Sequence, residues 1–239
     1  MQEGLKNMGK KTKKVIMFIV EGPTDEDTLS PVIKRLFKNN NIRFHIVHGD
    51  ITTDFNVNER EIIKEVNSHI EAEMRRYGYK KSDIIQVIHL LDTDGAFVPE
   101  SCIIKGSTDR IRYENNSIIC REPDKIALRN RKKKAAVMRL KGTKTIKDIP
   151  YMALYMSRNL EHLLHNISDD LSDDEKIELA DAFADKYIDN TEEFVEFISD
   201  SDFTVKGNLQ QTWDFIFQGT NSLNRYSNFH LILENYREQ

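Results

Sequence analysis

The amino-acid sequence predicts an α/β protein, a mostly parallel sheet flanked by helices with a helical C-terminal extension. Three observations carry this expectation. The continuous apolar run Val15–Val20 and the mostly apolar run Ile84–Leu91 suit strands buried on both faces, as in a parallel sheet. Stretches of helical periodicity separate the strand-like runs, which is the alternation of right-handed βαβ units. From residue 168 onward the pattern is helical and acidic.

Each element has its own signal. Residues 1–13 are polar and basic and predict a loose tail. After the first strand a helix is expected, with Thr24 as N-cap and Asp25, Glu26 and Asp27 in its first turn. Its apolar positions Leu29, Val32, Ile33, Leu36 and Phe37 have helical spacing. Pro31 interrupts it and predicts either a kink or a start at Ser30. Ile42–Val47 reads as a second strand. Residues 59–76 read as a helix with Ile62, Ile63, Val66 and Ile70 on one face and Gly78 beyond its end. The third strand stops at Asp92-Thr93-Asp94-Gly95. Residues 96–122 predict a hairpin-like excursion, and 123–141 a helix opened by Pro123. Tyr151–Met156 predicts another strand, followed by a short helix. Three amphipathic segments complete the chain, marked by Phe183, Phe194 and Trp213.

Composition narrows the function classes. The chain has 239 residues, 39% hydrophobic and 31% charged, which fits a globular domain with an extension and excludes a disordered protein. The longest apolar run is far shorter than the ~20 residues of a membrane span. The basic N-terminus followed by Val15–Val20 superficially resembles a signal peptide, but the run continues into Glu21-Gly22-Pro23-Thr24-Asp25 without a small-residue cleavage site. A cytoplasmic protein with no membrane partner is expected. Two cysteines, Cys102 and Cys120, exclude a disulfide scaffold and a zinc site. The net charge of −4 conceals an asymmetry. Residues 1–144 hold 28 Lys/Arg against 20 Asp/Glu, and residues 145–239 hold 7 against 19. A basic working surface and an acidic module are the expected division.

Two acidic clusters follow buried strands, Glu21-Gly22-Pro23-Thr24-Asp25-Glu26 and Asp92-Thr93-Asp94-Gly95. Ligands of open α/β sheets gather at the carboxyl ends of strands, so both clusters are placed to face one crevice. Carboxylates crowded there repel one another and call for a cation. Oxygen donors without His or Cys favour a hard ion, Mg²⁺ or Mn²⁺, that keeps several waters. Such an ion activates water or stabilises charge in phosphoryl chemistry.

Glu21-Gly22 followed by Thr24-Asp25, with a later strand ending in Asp92-x-Asp94-Gly95, resembles the TOPRIM domain, the metal-binding catalytic domain of topoisomerases, bacterial primases and OLD-type nucleases. The resemblance covers roughly residues 14–165 and implies a TOPRIM-like, Rossmann-like catalytic domain over residues 14–167, with residues 168–239 as an acidic, mostly helical extension. It implies that Glu21 acts as acid, base or ligand and that Asp92 and Asp94 bind Mg²⁺. The form Glu21-Gly22-Pro23-Thr24-Asp25 looks most like the OLD subgroup, which implies Asp25 as a further metal ligand and Ser157 and Glu161 as weaker ones. The expected activity is metal-dependent endonucleolytic hydrolysis of DNA or RNA, in RNA processing or phage defence. The chain departs from the OLD pattern in having no phosphate-binding G-x-x-x-x-G-K-[ST] loop.

Arg129, Arg131, Lys132, Lys133, Lys134 and Arg139 are candidate contacts to a nucleic-acid backbone, although one helix face cannot present all of them. The acidic C-terminal region is a candidate protein-partner surface, and an oligomer is left open. Asp92-Thr93-Asp94-Gly95 also resembles the first motif of haloacid-dehalogenase phosphatases, with Asp92 as nucleophile and Asp94 as acid/base. A non-catalytic interaction module is the third reading. Lys206 is a weaker candidate for a transition-state cation. His45, His48, His89, His162 and His165 read as structural.

Overall fold

The computed structural model describes residues 14–38, 41–47, 50–54, 56–107, 110–167 and 171–234. The basic tail expected over residues 1–13, and His48, lie outside them. Strand β1 (Val15–Val20) leads through α1 (Pro23–Leu36) to β2 (Asn41–Ile46), then α2 (Ile62–Tyr77) and β3 (Ile84–Asp92). Short strands β4 (Ile103–Lys105), β5 (Arg112–Tyr113) and β6 (Ile118–Cys120) precede α3 (Pro123–Lys141). Next come β7 (Thr145–Ile146), β8 (Ile149–Met156) and α4 (Leu160–His165). Helices α5 (Asp173–Tyr187), α6 (Thr191–Asp200), α7 (Leu209–Ile216) and α8 (Leu231–Glu234) follow.

The central sheet has the order β2-β1-β3-β8-β7. Its first four strands are parallel, and β7 adds an antiparallel edge. Lys147 and Asp148 join β7 to β8 with φ of 50° and 64°, the left-handed pair that a two-residue hairpin turn needs. Strand alternation explains the uninterrupted apolar runs. In β1, Ile16, Phe18 and Val20 enter one core with Leu29, Val32 and Ile33 of α1 and Phe183 and Phe194 of α5 and α6. Val15, Met17 and Ile19 enter the opposite core with Val66 and Ile70 of α2, Val137 and Leu140 of α3, and Trp213 of α7. The excursion over residues 96–122 is a small sheet of order β4-β6-β5, with its own apolar cluster on α3.

Helix α1 differs from expectation at both marked positions. Gly22, not Thr24, is the N-cap, and the Asp25 carboxylate accepts from the Gly22 N–H at 2.9 Å. The helix also runs through Pro31. Proline removes the donor to the Asp27 carbonyl, a cost eased by the exposure of Asp27 to solvent.

The C-terminal helices do not stand apart from the sheet. The indole N–H of Trp213 donates to the Ala153 carbonyl at 3.1 Å, and the Tyr155 hydroxyl donates to the Thr212 carbonyl at 3.0 Å. The Asn228 side chain accepts from the Tyr155 N–H at 2.8 Å, and Ser227 bridges Met156 and Thr204. Cys102 and Cys120 are free thiols. Among the described residues no helix is long and apolar enough to cross a membrane.

His89 is a core histidine, 1% exposed, with Nδ1 at 2.8 Å from the Tyr151 hydroxyl. Burial pushes its pKa down to about 3. The folded state therefore binds fewer protons than the unfolded one between about pH 6.5 and 3. The stability contributed by the neutral ring is present above pH 6.5 and is lost as pH falls through that window. The imidazole nitrogens of His89 should keep neutral-ring NMR shifts at pH 5, and His89→Gln should flatten the acid limb of a stability–pH curve. A His89 titration near pH 6.5 would contradict this.

Candidate functional site

Strand order changes direction between β1 and β3, because β2 lies on one side of β1 and β3 on the other. A crevice opens at such a switch point beyond the carboxyl ends of the strands. Glu21 follows the last residue of β1, and Asp92 is the last residue of β3. The Asp92 backbone N–H donates to Glu21 Oε1 at 3.3 Å, so the two acidic clusters meet there.

Beyond Asp92 the backbone is forced into an unusual path. Asp94 and Gly95 have φ of 47° and 65°, a region that residues with a Cβ seldom occupy. The path is held from β8 and α3. The Thr93 N–H donates to the Met156 carbonyl at 3.0 Å and the Asp94 N–H to the Arg158 carbonyl at 3.2 Å. The Arg129 guanidinium donates to the Asp94 carbonyl at 3.0 Å. The buried Thr93 hydroxyl accepts from the Arg158 N–H at 3.2 Å. At Gly95 a Cβ would lie 2.5 Å from a methyl of Leu223, so glycine is required on two counts.

The ammonium of Lys133 lies inside this acidic basin. Its side chain is 0% exposed, and Nζ donates to Asp50 at 2.8 Å and, in a shorter contact, to Asp94. Burial alone would push the ammonium down. Asp94, Glu21 and Asp50 outweigh burial and hold it above its ordinary pKa. Asp50 is likewise held below the usual carboxylate range, because Lys133 and Thr52 outweigh its burial. The other acids are less compensated. Burial pushes Glu21 up to about 8 against the pull of Lys133, and Asp50, Asp94 and Asp25 add to the rise. Burial, then Glu21, Asp25 and Asp94, lifts Asp92 well above the usual range. Asp25 rises to about 6 through burial, with Glu161 adding and the Gly22 N–H and Lys176 opposing.

Glu21, Asp25, Asp92 and Asp94 thus share one electrostatic basin. Glu161 lies at its edge, coupled to Asp25 and 3.6 Å from the Lys176 ammonium. Ser157 does different work. Its hydroxyl accepts from the Tyr226 N–H at 2.7 Å and its own N–H donates to the Tyr226 carbonyl at 2.8 Å, which clasps the C-terminal segment. The basic run of α3 divides. Lys133 faces the interior and is no surface phosphate contact, while Arg129 is partly buried and also donates to the Tyr113 hydroxyl at 3.0 Å. Arg131, Lys134 and Arg139 are exposed, and Lys132 is half-buried. Arg131 pairs with Glu100 at 2.6 Å. Arg131 and Lys134 line a cleft that begins at Ala96, one residue beyond Gly95. Lys206 is exposed and pairs with Asp200 at 3.0 Å. The His45 ring lies between Glu73 and His69, at 3.3 and 2.9 Å.

Sequence reasoning missed Asp50 and misplaced Lys133. Asp50 is the third acid to follow a parallel strand, after Val47-His48-Gly49. Lys133 falls on the stripe Ile126, Asn130, Lys133, Val137 and Leu140, all buried, whose three- and four-residue steps mark the core face of a helix. A lysine on that stripe signals an internal partner.

Among the described residues no three Asp, Glu, His or Cys side chains converge closely enough to hold a metal. The chemistry of the donor set nevertheless fits a hard cation. Every donor is oxygen, the ligand type a hard cation prefers, and burial first, then the neighbouring carboxylates, raises Glu21 and Asp92. Neither a family model, nor a curated protein, nor a solved structure matches the chain.

Because Gly95 joins a positive φ to a contact with Leu223, Gly95→Ala should lower stability by roughly 1–3 kcal/mol, measured by urea denaturation. An unchanged midpoint would show that the turn is not constrained as described.

Proposed function

We propose that this chain is a TOPRIM-like, Mg²⁺-dependent phosphodiesterase acting on nucleic acid. The observation that carries the reading is the meeting of Glu21 and Asp92 at the switch point between β1 and β3, with Asp94 turned into the same basin. Glu21 and Asp92 would hold the ion, and Asp94 would lend the oxygen that Lys133 leaves free. When bound, Mg²⁺ supplies Lewis acidity and a lowered pKa for attacking water.

The remaining roles belong to the protein. Glu21, raised to about 8 by burial first, would give up its proton when it takes an ion, so ion binding there would release a proton near neutral pH. Arg129 fixes the Asp94–Gly95 turn through the Asp94 carbonyl. Exposed Arg131, Lys134 and Arg139 supply sequence-independent attraction for a phosphate backbone.

Labelled single- and double-stranded DNA and RNA, incubated with Mg²⁺ or Mn²⁺, should be cleaved by the wild type. Cleavage should fall by at least about 100-fold in Asp92→Asn, the scale for losing one group that stabilises transition-state charge. Phosphate release from monoesters without strand cleavage would favour the haloacid-dehalogenase-like alternative. No activity and no metal binding would favour an interaction module.

Ion binding should also appear in stability. The metal-free basin keeps protons that the unfolded chain releases between about pH 4.5 and 8, so its stability falls as pH rises through that window. Mg²⁺ binds the ionised form, so it should raise the melting temperature more at pH 8 than at pH 5. An equal Mg²⁺ effect at both values would count against carboxylate ligation.

A further inference from the structure

The interior position of Lys133 carries a consequence that rests on the metal-ion reading above. We propose that Lys133 is a resident cation of the carboxylate basin, standing where a second divalent ion would otherwise bind, so that the site holds one Mg²⁺ rather than a pair.

Three observations support this. First, Lys133 is delivered by the buried stripe of α3, and its ammonium is fully enclosed between Asp50 and Asp94. A lysine ammonium is a compact point charge with three donors and suits a pocket made of carboxylate oxygens. Second, Asp50 is built to hold that ammonium. One of its oxygens accepts from the Thr52 N–H at 2.8 Å and from the Thr52 hydroxyl. The other accepts from the Thr53 hydroxyl at 2.9 Å and from Lys133 at 2.8 Å. All its ordinary acceptor positions are filled, which leaves it little capacity as a metal ligand. Third, the charge in the basin is unevenly compensated. Asp50 and Asp94 share the ammonium, whereas Glu21 and Asp92 meet across the switch point without a contact to it. The carboxylate oxygens not bonded to the ammonium therefore lie on the Glu21–Asp92 side.

A fixed monovalent charge differs from a second metal ion in one functional respect. It is present as soon as the chain folds, so Asp94 is oriented before any ion arrives. Only one equilibrium then depends on the concentration of free metal.

The test counts ions on the full chain. Mn²⁺ is titrated into metal-free protein by calorimetry, and the saturated sample is examined by electron paramagnetic resonance, which separates an isolated ion from a spin-coupled pair. The wild type should bind one Mn²⁺ per chain with an isolated-ion signal, and Glu21→Gln should abolish binding. Lys133→Met should bind two and give the coupled signal, because Asp94 and Asp50 lose their counter-ion. Lys133→Arg should restore the count to one. A coupled pair in the wild type would overturn the inference while leaving the metal-dependent reading intact. No Mn²⁺ binding by the wild type would remove both. A folded Lys133→Met that still binds a single ion would overturn the inference alone. If Lys133→Met does not fold by circular dichroism, Lys133→Gln takes its place and is read in the same way.

Discussion

The ion pair that Lys133 makes with Asp50 and Asp94 is the interaction on which the carboxyl edge of this sheet depends. Five carboxylates, Glu21, Asp25, Asp50, Asp92 and Asp94, act on one another there. Burying even one ionised group without a partner costs several kcal/mol. A single buried ammonium pairs with two of them, Asp50 and Asp94, and in doing so it ties α3 to the segment after β2 and to the turn after β3. The remaining acids, Glu21, Asp25 and Asp92, have pKa values displaced upward, by burial first and by their carboxylate neighbours second.

The fold supplies the rest of the geometry through ordinary packing. The sheet order places β1 beside β3, and the two apolar layers fix both strands from opposite faces. The D-x-D turn is then clamped from outside its own strand, by Met156, Arg158 and Arg129. The C-terminal segment also supports the same region. It pins β8 through Trp213 and Asn228 and pins Ser157 through Tyr226. The acidic extension also touches the site directly, through Leu223 against Gly95 and Lys176 beside Glu161.

Much of this was legible in the sequence. Strands buried on both faces leave continuous apolar runs, and the bounds of α3 follow from Pro123 and its periodic stripe. The acids at the ends of β1 and β3 were visible because a strand boundary and a charge coincide. The N-cap of α1 was not, since choosing between Gly22 and Thr24 turns on where the Asp25 carboxylate bends back. Lys133 was obscured by its neighbours. In a run of four basic residues, composition suggests a solvated surface, and only the phase of the helix shows that one of the four points inward. Ser157 was drawn toward the site by resemblance, and the structure gives its hydroxyl to Tyr226. Asp50 escaped notice because no second short motif surrounds it.

The proposed site takes one divalent cation beside Lys133 and not in its place. Anomalous diffraction from crystals soaked in Mn²⁺ tests this most directly. A single anomalous peak between Glu21 and Asp92, with Lys133 still bonded to Asp50 and Asp94, is the predicted result. A peak between Asp50 and Asp94 with the lysine displaced, or no peak at the carboxyl edge of β1 and β3, would contradict it.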